Sequence, residues 1–263
     1  MNKKIMFFIP IYNGVDQITR VLKKMKDLDE SYIFKTIIID NQSRDGTQKQ
    51  IINFFKKNKL KNQFELIQNK ENYGLGGSHK IAYDYFLKSN YEYLIISQGD
   101  DQGDPKDLVI ALNKELGKNI EIPLIMGSRF KNLSRIKGYS KLKILFNLMF
   151  NVFASIALSN KISDLSSGQL VVSKKALSSK FYKNFPNELW FNYYFFFYFV
   201  VNNIKYTYHS ISWVEEDQIS NLKIIKQIIA LSKLLVKLRF KKKKYFDSLK
   251  KDKNEYHYEK TIL

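Results

Sequence analysis

The chain has no cysteine, which excludes disulfides, thiolate zinc centres and a cysteine nucleophile. Histidine occurs only at His79, His209 and His257, too few for an all-histidine metal cage. No uninterrupted apolar run reaches the ~20 residues that a bilayer core requires. The run 144–158 is broken by Asn147 and Asn151, and the run 189–201 is shorter. The apolar stretch 5–12 contains Pro10 and leads into Asn13-Gly14, so it reads as a strand and turn, not a targeting segment. These absences predict a cytoplasmic chain that can touch a membrane only from the side. Acidic residues are also scarce, at 25 Asp plus Glu against 44 Lys plus Arg, a net charge of +19.

Hydrophobic residues at 44% and aromatics at 15% exclude general disorder. A length of 263 residues suits one large α/β domain, or one domain with an appendage. The charge is uneven: residues 222–263 hold 13 Lys/Arg against 4 Asp/Glu. Such asymmetry points to an anionic partner surface, phospholipid or nucleic acid.

The first half alternates short apolar runs with amphipathic segments. Strands are expected at 5–9, 36–39, 64–67, 93–96 and 124–126, and helices at 15–28, 48–57, 77–88 and 105–116. Strands apolar throughout and alternating with helices predict a mostly parallel sheet covered on both faces. Ligands of such sheets bind at the carboxyl ends of the strands. The polar and glycine residues gather in the loops that follow the strands, at 10–14, 40–47, 72–77, 98–105 and 127–129. Beyond residue 135 the pattern gives a helix at 141–158, a strand at 168–172, an aromatic-rich helix or strand at 188–201 and a strand at 204–213. A basic amphipathic helix follows at 222–240, then a polar, frayed remainder. Domains are expected at 1–215 and 216–263, the second a basic helical tail.

Three loops carry chemistry. Asp40, ending the second strand, can bond a ribose or base edge, or cap the next helix with Ser43, Asp45 and Thr47. Asn72-Tyr-Gly-Leu-Gly-Gly77 opens a helix, where closely spaced glycines admit a phosphate to backbone amides or form only a tight turn. His79 stands where the dinucleotide fingerprint needs glycine, so that motif fails. In Gln98-Gly-Asp-Asp-Gln-Gly-Asp-Pro105, three carboxylates crowd a buried strand's end. Either a hard divalent cation compensates their repulsion, or the turn is simply solvated.

These motifs, with Phe7-Phe-Ile-Pro-Ile-Tyr-Asn-Gly14, Gly127-Ser-Arg-Phe130 and Asp164-Leu-Ser-Ser-Gly168, occur in the order found in family 2 glycosyltransferases. The chain resembles that family, and within it the polyprenyl-phosphate sugar transferases related to dolichol-phosphate mannose synthases. The resemblance implies a GT-A-type, Rossmann-like α/β fold and an inverting, metal-assisted transfer from a UDP- or GDP-sugar. The acceptor would be a polyprenyl phosphate or lipid-linked glycan, in cell-surface polysaccharide biosynthesis. Pro10, Tyr12, Asn13, Asp40 and Asp45 would bind the nucleotide, with Asn72, Gly74 and Gly76 lining the substrate site. Asp100 and Gln102, with Asp101, would hold Mg2+ or Mn2+, and Arg129 would face the acceptor or diphosphate.

The sequence departs from the pattern in places. Gln98 stands where the family's Asp-x-Asp-x-Gln motif begins, Asn41 replaces an acidic residue, and 215–221 lacks the family's Arg-x-x-Gly-x-Ser loop. A phosphate acceptor attacks without losing a proton, whereas a sugar hydroxyl needs a base. Glu188 and Asp217 are the candidates, and either can instead be a helix-start carboxylate. The basic helix 222–240 fits an element lying peripherally on an anionic inner-membrane surface, or one packed on the domain; no nucleic-acid recognition module is discernible. A degenerate scaffold that binds membranes or polyanions is the competing, non-enzymatic class.

Overall fold

The computed structural model describes residues 4–28, 34–58, 63–118, 121–165, 167–217 and 224–261, with side chains in the last span from residue 229. The first half runs β1 (Ile5–Ile11), α1 (Ile18–Lys26), β2 (Phe34–Asp40), α2 (Thr47–Asn58), β3 (Phe64–Asn69), α3 (Gly74–Leu87), β4 (Tyr93–Ile96), α4 (Pro105–Leu116) and β5 (Leu124–Ser128). The second half runs β6 (Ile136–Lys137), α5 (Lys141–Leu158), β7 (Leu170–Ser173), α6 (Lys174–Leu177), α7 (Phe191–Val201), β8 (Tyr206–Ser210), β9 (Trp213–Val214), α8 (Ile224–Lys241), α9 (Lys243–Asp247) and β10 (Tyr258–Thr261).

Eight strands form one sheet in the order β10-β3-β2-β1-β4-β7-β5-β8, and β6 pairs with β9 beside it. The pairs β3-β2, β2-β1, β1-β4 and β5-β8 are parallel, while β7 and β10 run antiparallel to their neighbours. Because side chains alternate across a strand, each continuous apolar run feeds two cores. Ile5, Phe7, Ile9 and Ile11 join α1, α2 and α4 on one face. Met6 and Phe8 join α3, α7 and α8 on the other, where Phe191, Phe195, Phe196, Phe197 and Phe199 are all fully buried. Truncating any of these to alanine would cost about 3–5 kcal/mol.

Two alternatives are resolved and two expectations change. Segment 188–201 is a helix from Phe191. The single strand expected at 204–213 divides into β8 and β9, because Ser212 gives its N–H to Asp107 and its hydroxyl accepts from Arg135. The frayed remainder is ordered: β10 adds to the edge of β3, and buried Lys80 bonds Asp252 at 2.6 Å and Asn187 at 2.8 Å. The apolar stripe of the basic helix faces inward, with Leu231, Leu234, Leu235 and Leu238 buried in the main core. Residues beyond the expected boundary at 215/216 therefore complete the sheet and its covering layer.

Candidate active site

Backbone contacts assemble the rim. Ile11 and Asp40 are register partners, and Asn41 donates its N–H to Ile11 O at 2.9 Å. On the other side, Gly99 donates to Pro10 O at 3.2 Å, and a Cβ at Gly99 would lie 2.8 Å from that oxygen. Only glycine lets the loop after β4 lie so close to β1. Strands sit roughly 4.8 Å apart, so the ends of β2, β1 and β4 present Asp40, Pro10 with Tyr12, and Asp100 along a front about 10 Å wide.

Asp40 is fully buried; its Oδ1 accepts from the Ser43 N–H at 3.0 Å and the Ser43 hydroxyl at 2.5 Å. Its Oδ2 has no partner among the described residues. Burial raises the Asp40 pKa, and the Ser43 bonds offset this only in part. An unmet buried acceptor costs roughly 1–3 kcal/mol, which a ligand N–H or O–H would recover.

Asp45 is different. Its oxygens accept from Val15 N–H at 3.0 Å and from the Thr47 hydroxyl at 2.6 Å and N–H at 3.0 Å. Partial burial pushes its pKa up, but these bonds outweigh it and hold the carboxyl below its usual range. Asn13, at φ 51°, accepts from Arg44 N–H at 2.9 Å and donates its N–H to Ser43 at 2.8 Å. Asp45 and Asn13 thus stitch the first two loops together, and Tyr12 stays 44% exposed at the rim.

The glycine-rich loop is used for packing. Asn72 Oδ1 accepts from Asn41 at 2.7 Å and Gly74 N–H at 3.0 Å. Gly76 gives its N–H to Asn187 O at 2.7 Å, and a Cβ there would lie 2.4 Å from Pro186 O. Gly74, at φ 71°, meets Asn187 O just as closely. The helix start abuts the 186–188 loop, so the Gly76 amide is already taken.

In the acidic loop the side chains diverge. Asp100 Oδ1 accepts from Gln102 N–H at 3.2 Å, and burial pushes the carboxyl up to about 6. Asp101, at φ 63°, turns away to Arg20 Nε and Lys24 Nζ, each at 2.7 Å. Its expected place on a metal is thus corrected: two cations of α1 already neutralise it. Gln98 donates to Gly168 O at 2.8 Å, and Asp104 caps α4 through Lys106 N–H at 2.9 Å. Among the described residues, no three His, Asp or Glu side chains gather as a metal cage.

Arg20 also holds Asp217, with Nη2 at 2.8 and 2.9 Å from its two oxygens, and this pairing depresses the Asp217 pKa. Asp217 is thereby drawn to the acidic corner, while Glu188 is exposed beside the start of α3. Arg129 is only 3% exposed. Its Nε and Nη2 bond Asp164 at 2.8 Å, and the rings of Trp213, Phe130 and Tyr139 surround the guanidinium at 4.8, 4.9 and 5.5 Å. Arg129 is therefore built into the wall of the site, not aimed at an acceptor. Sequence reasoning missed Arg20, Lys24 and Asp164 as its organisers. The i,i+4 spacing of Arg20 and Lys24 was the available signal for the first two.

The family model for glycosyl transferase family 2 matches residues 6–179. The chain belongs to glycosyl transferase family 2. It is a glycosyl transferase, and its mostly parallel α/β sheet is the GT-A fold. A dolichyl-phosphate beta-glucosyltransferase of Dictyostelium discoideum is 24% identical over 246 residues, covering 89% of this chain and 73% of that protein. An uncharacterised protein of Methanocaldococcus jannaschii is 32% identical over 107 residues, covering 40% of this chain and 44% of its own length. Glucosyl-3-phosphoglycerate synthase from Mycobacterium tuberculosis, solved with Mn2+, UDP-glucose and phosphoglyceric acid, superposes with a TM-score of 0.59 at 11% identity. That superposition covers 90% of this chain and 79% of the synthase.

Proposed function

We propose that the transferase moves a hexose, with inversion, from a UDP- or GDP-sugar to a polyprenyl phosphate or lipid-linked glycan at the cytoplasmic membrane surface, in cell-surface glycan assembly. The observation that carries this reading is that Asp40, Tyr12 and Asp100 lie at the carboxyl ends of the adjacent strands β2, β1 and β4. Asp40, whose buried Oδ2 has no partner among the described residues, would accept a hydrogen bond from the nucleoside. Tyr12 would flank the base, and Asp100 would sit where the diphosphate departs.

The donor set fits Mg2+ or Mn2+. Asp100 supplies one carboxylate and Gln102 an amide oxygen, and small divalent cations commonly complete their shells with phosphate oxygens and water. When bound, such a cation neutralises charge on the leaving diphosphate. Every other contribution comes from the chain. Arg20 and Lys24 hold Asp101 away from the diphosphate path, and the loops after β1 and β4 fix donor geometry, positioning being a major source of acceleration.

The tie between Arg20 and Asp217 disfavours one of the two candidate bases, leaving Glu188 as the other, and to that extent supports a phosphate acceptor. Arg20 lowers the Asp217 pKa, which makes that carboxylate a poor base. A phosphate needs none. The glucosyltransferase relative, named for a dolichyl-phosphate substrate, supports the same class of acceptor.

The test is an assay of purified protein with UDP- and GDP-sugars, a polyprenyl phosphate and Mg2+ or Mn2+, the product identified by mass spectrometry. Asp100→Ala should lower metal-dependent turnover about 100-fold or more, the scale of losing one electrostatic contact to the leaving charge. Undiminished turnover in that variant would refute the assignment.

A further inference from the structure

Helix α5 is built inside out. Its polar residues Asn147, Asn151 and Ser155, spaced four apart, face the domain. Asn147 bonds Tyr139 Oη at 3.1 Å, Asn151 bonds Ser163 O at 2.8 Å and Leu165 N–H at 3.1 Å, and Ser155 accepts from Ile162 N–H at 3.0 Å. Its apolar residues face outward instead. Leu142, Leu145, Phe146, Met149, Val152, Phe153 and Ile156 follow helical spacing and are 42–70% exposed. A helix on a water-soluble surface shows the reverse arrangement, and a continuous exposed apolar stripe marks a binding face.

By length and composition α5 could cross a membrane. Its flanks, however, are β6 and β7 of the same domain, so it lies along the surface for about 27 Å. The neighbouring α8 exposes Ile229, Val236 and Phe240, also in helical register. The two spans that frame this face are basic in sequence, although Lys143 is paired with Glu215. Residues 141–158 and 224–246 together contain ten Lys or Arg and no Asp or Glu.

We infer that the outward face of α5, flanked by α8, is the surface that docks on an anionic lipid bilayer. A second copy of the chain is a poorer occupant, because pairing this face with itself brings two basic rims together. A bilayer takes the apolar stripe into the headgroup boundary and its anionic headgroups meet the lysines. The face is also linked to the site. Asn147 of α5 bonds Tyr139, which accepts from Arg129, and Lys143 pairs with Glu215. The docked domain therefore carries its rim to the membrane. This inference deepens the reading of a lipid-linked acceptor and rests on it only for the acceptor.

The experiment is flotation of the full chain with vesicles of phosphatidylglycerol and phosphatidylcholine, against phosphatidylcholine alone. The parent should float with the anionic vesicles. The combined change Leu145→Glu, Met149→Glu and Val152→Glu should lower the bound fraction about 10-fold or more with the unfolding midpoint unchanged. If that variant does not fold, Met149→Trp gives an independent reading, its emission shifting to the blue on anionic vesicles. Absence of vesicle binding by the parent overturns the inference. So does equal binding by the folded triple variant, or emission from the Met149→Trp variant that anionic vesicles leave unshifted. A dimer that the triple change dissociates, without vesicle binding, assigns the face to a second copy and overturns it too. Vesicle binding without sugar transfer would sink the proposed reaction and leave this surface standing, and transfer without vesicle binding would do the opposite.

Discussion

Asp164→Ala tests how the wall of the site is held. The substitution removes the bidentate partner of Arg129 and also the acceptor for the Arg129 backbone N–H, which bonds Asp164 Oδ2 at 2.9 Å. The guanidinium, 3% exposed in the parent and enclosed by three rings, loses its counter-charge. Breaking a buried ion pair by removing one partner costs about 3–5 kcal/mol, mostly the penalty of the charge left behind. For 263 residues the unfolding entropy is roughly 0.55 kcal/mol per degree, so the midpoint should fall by about 5–9 °C. The double change Arg129→Met with Asp164→Leu removes both charges and should recover much of the loss. The measurement is denaturant and thermal unfolding followed by circular dichroism. A single variant within about 1 kcal/mol of the parent, or a double variant no better than the single, would refute the reasoning.

His79 makes stability depend on pH. Packed against Phe8 and Phe191, it bonds Leu75 O through Nδ1 at 2.8 Å, and burial pushes its pKa from 6.5 down to about 4. The unfolded chain takes up the proton first as pH falls. Stability is therefore full above the unfolded value and is lost between pH 6.5 and about 4, by about 3 kcal/mol in all. Urea midpoints across that window should slope less in His79→Leu; equal slopes would count against the assignment. Gly76→Ala would drive a Cβ to 2.4 Å from Pro186 O, so it should cost about 1–3 kcal/mol in unfolding experiments. An unchanged midpoint would mean that the 186–188 loop yields freely.

Local pattern carried much of this architecture. The expected helices at 105–116 and 141–158 coincide with α4 and α5, because Asp104-Pro105 starts the first and uninterrupted helical periodicity fills the second. Strand β10 was invisible for a physical reason. Tyr-Glu-Lys-Thr at a sheet edge joins through backbone bonds and buries little, so no apolar signature exists. Periodicity also reported that α8 had an apolar stripe without saying what covers it. At the site, the placing of Asp40 and Asp100 after strands on either side of β1 followed from strand ends in a parallel sheet. The commitment of Asp101 did not, because its partner Arg20 lies 81 residues away and Asp217 lies 197 from that arginine. The glycines of 72–77 were ambiguous because admitting a phosphate and admitting a neighbouring carbonyl make the same demand for a missing side chain.

The short outer strand β10 has a consequence for solubility. Without it, the apolar β3 would offer its open amides and carbonyls to any passing chain, the usual route to edge-to-edge aggregation. β10 occupies that row and brings Glu259 and Lys260, paired to Lys70 at 3.0 Å and Glu65 at 2.9 Å. The margin of the sheet is thereby guarded by charge, and four residues with almost no hydrophobic content act as its gatekeepers.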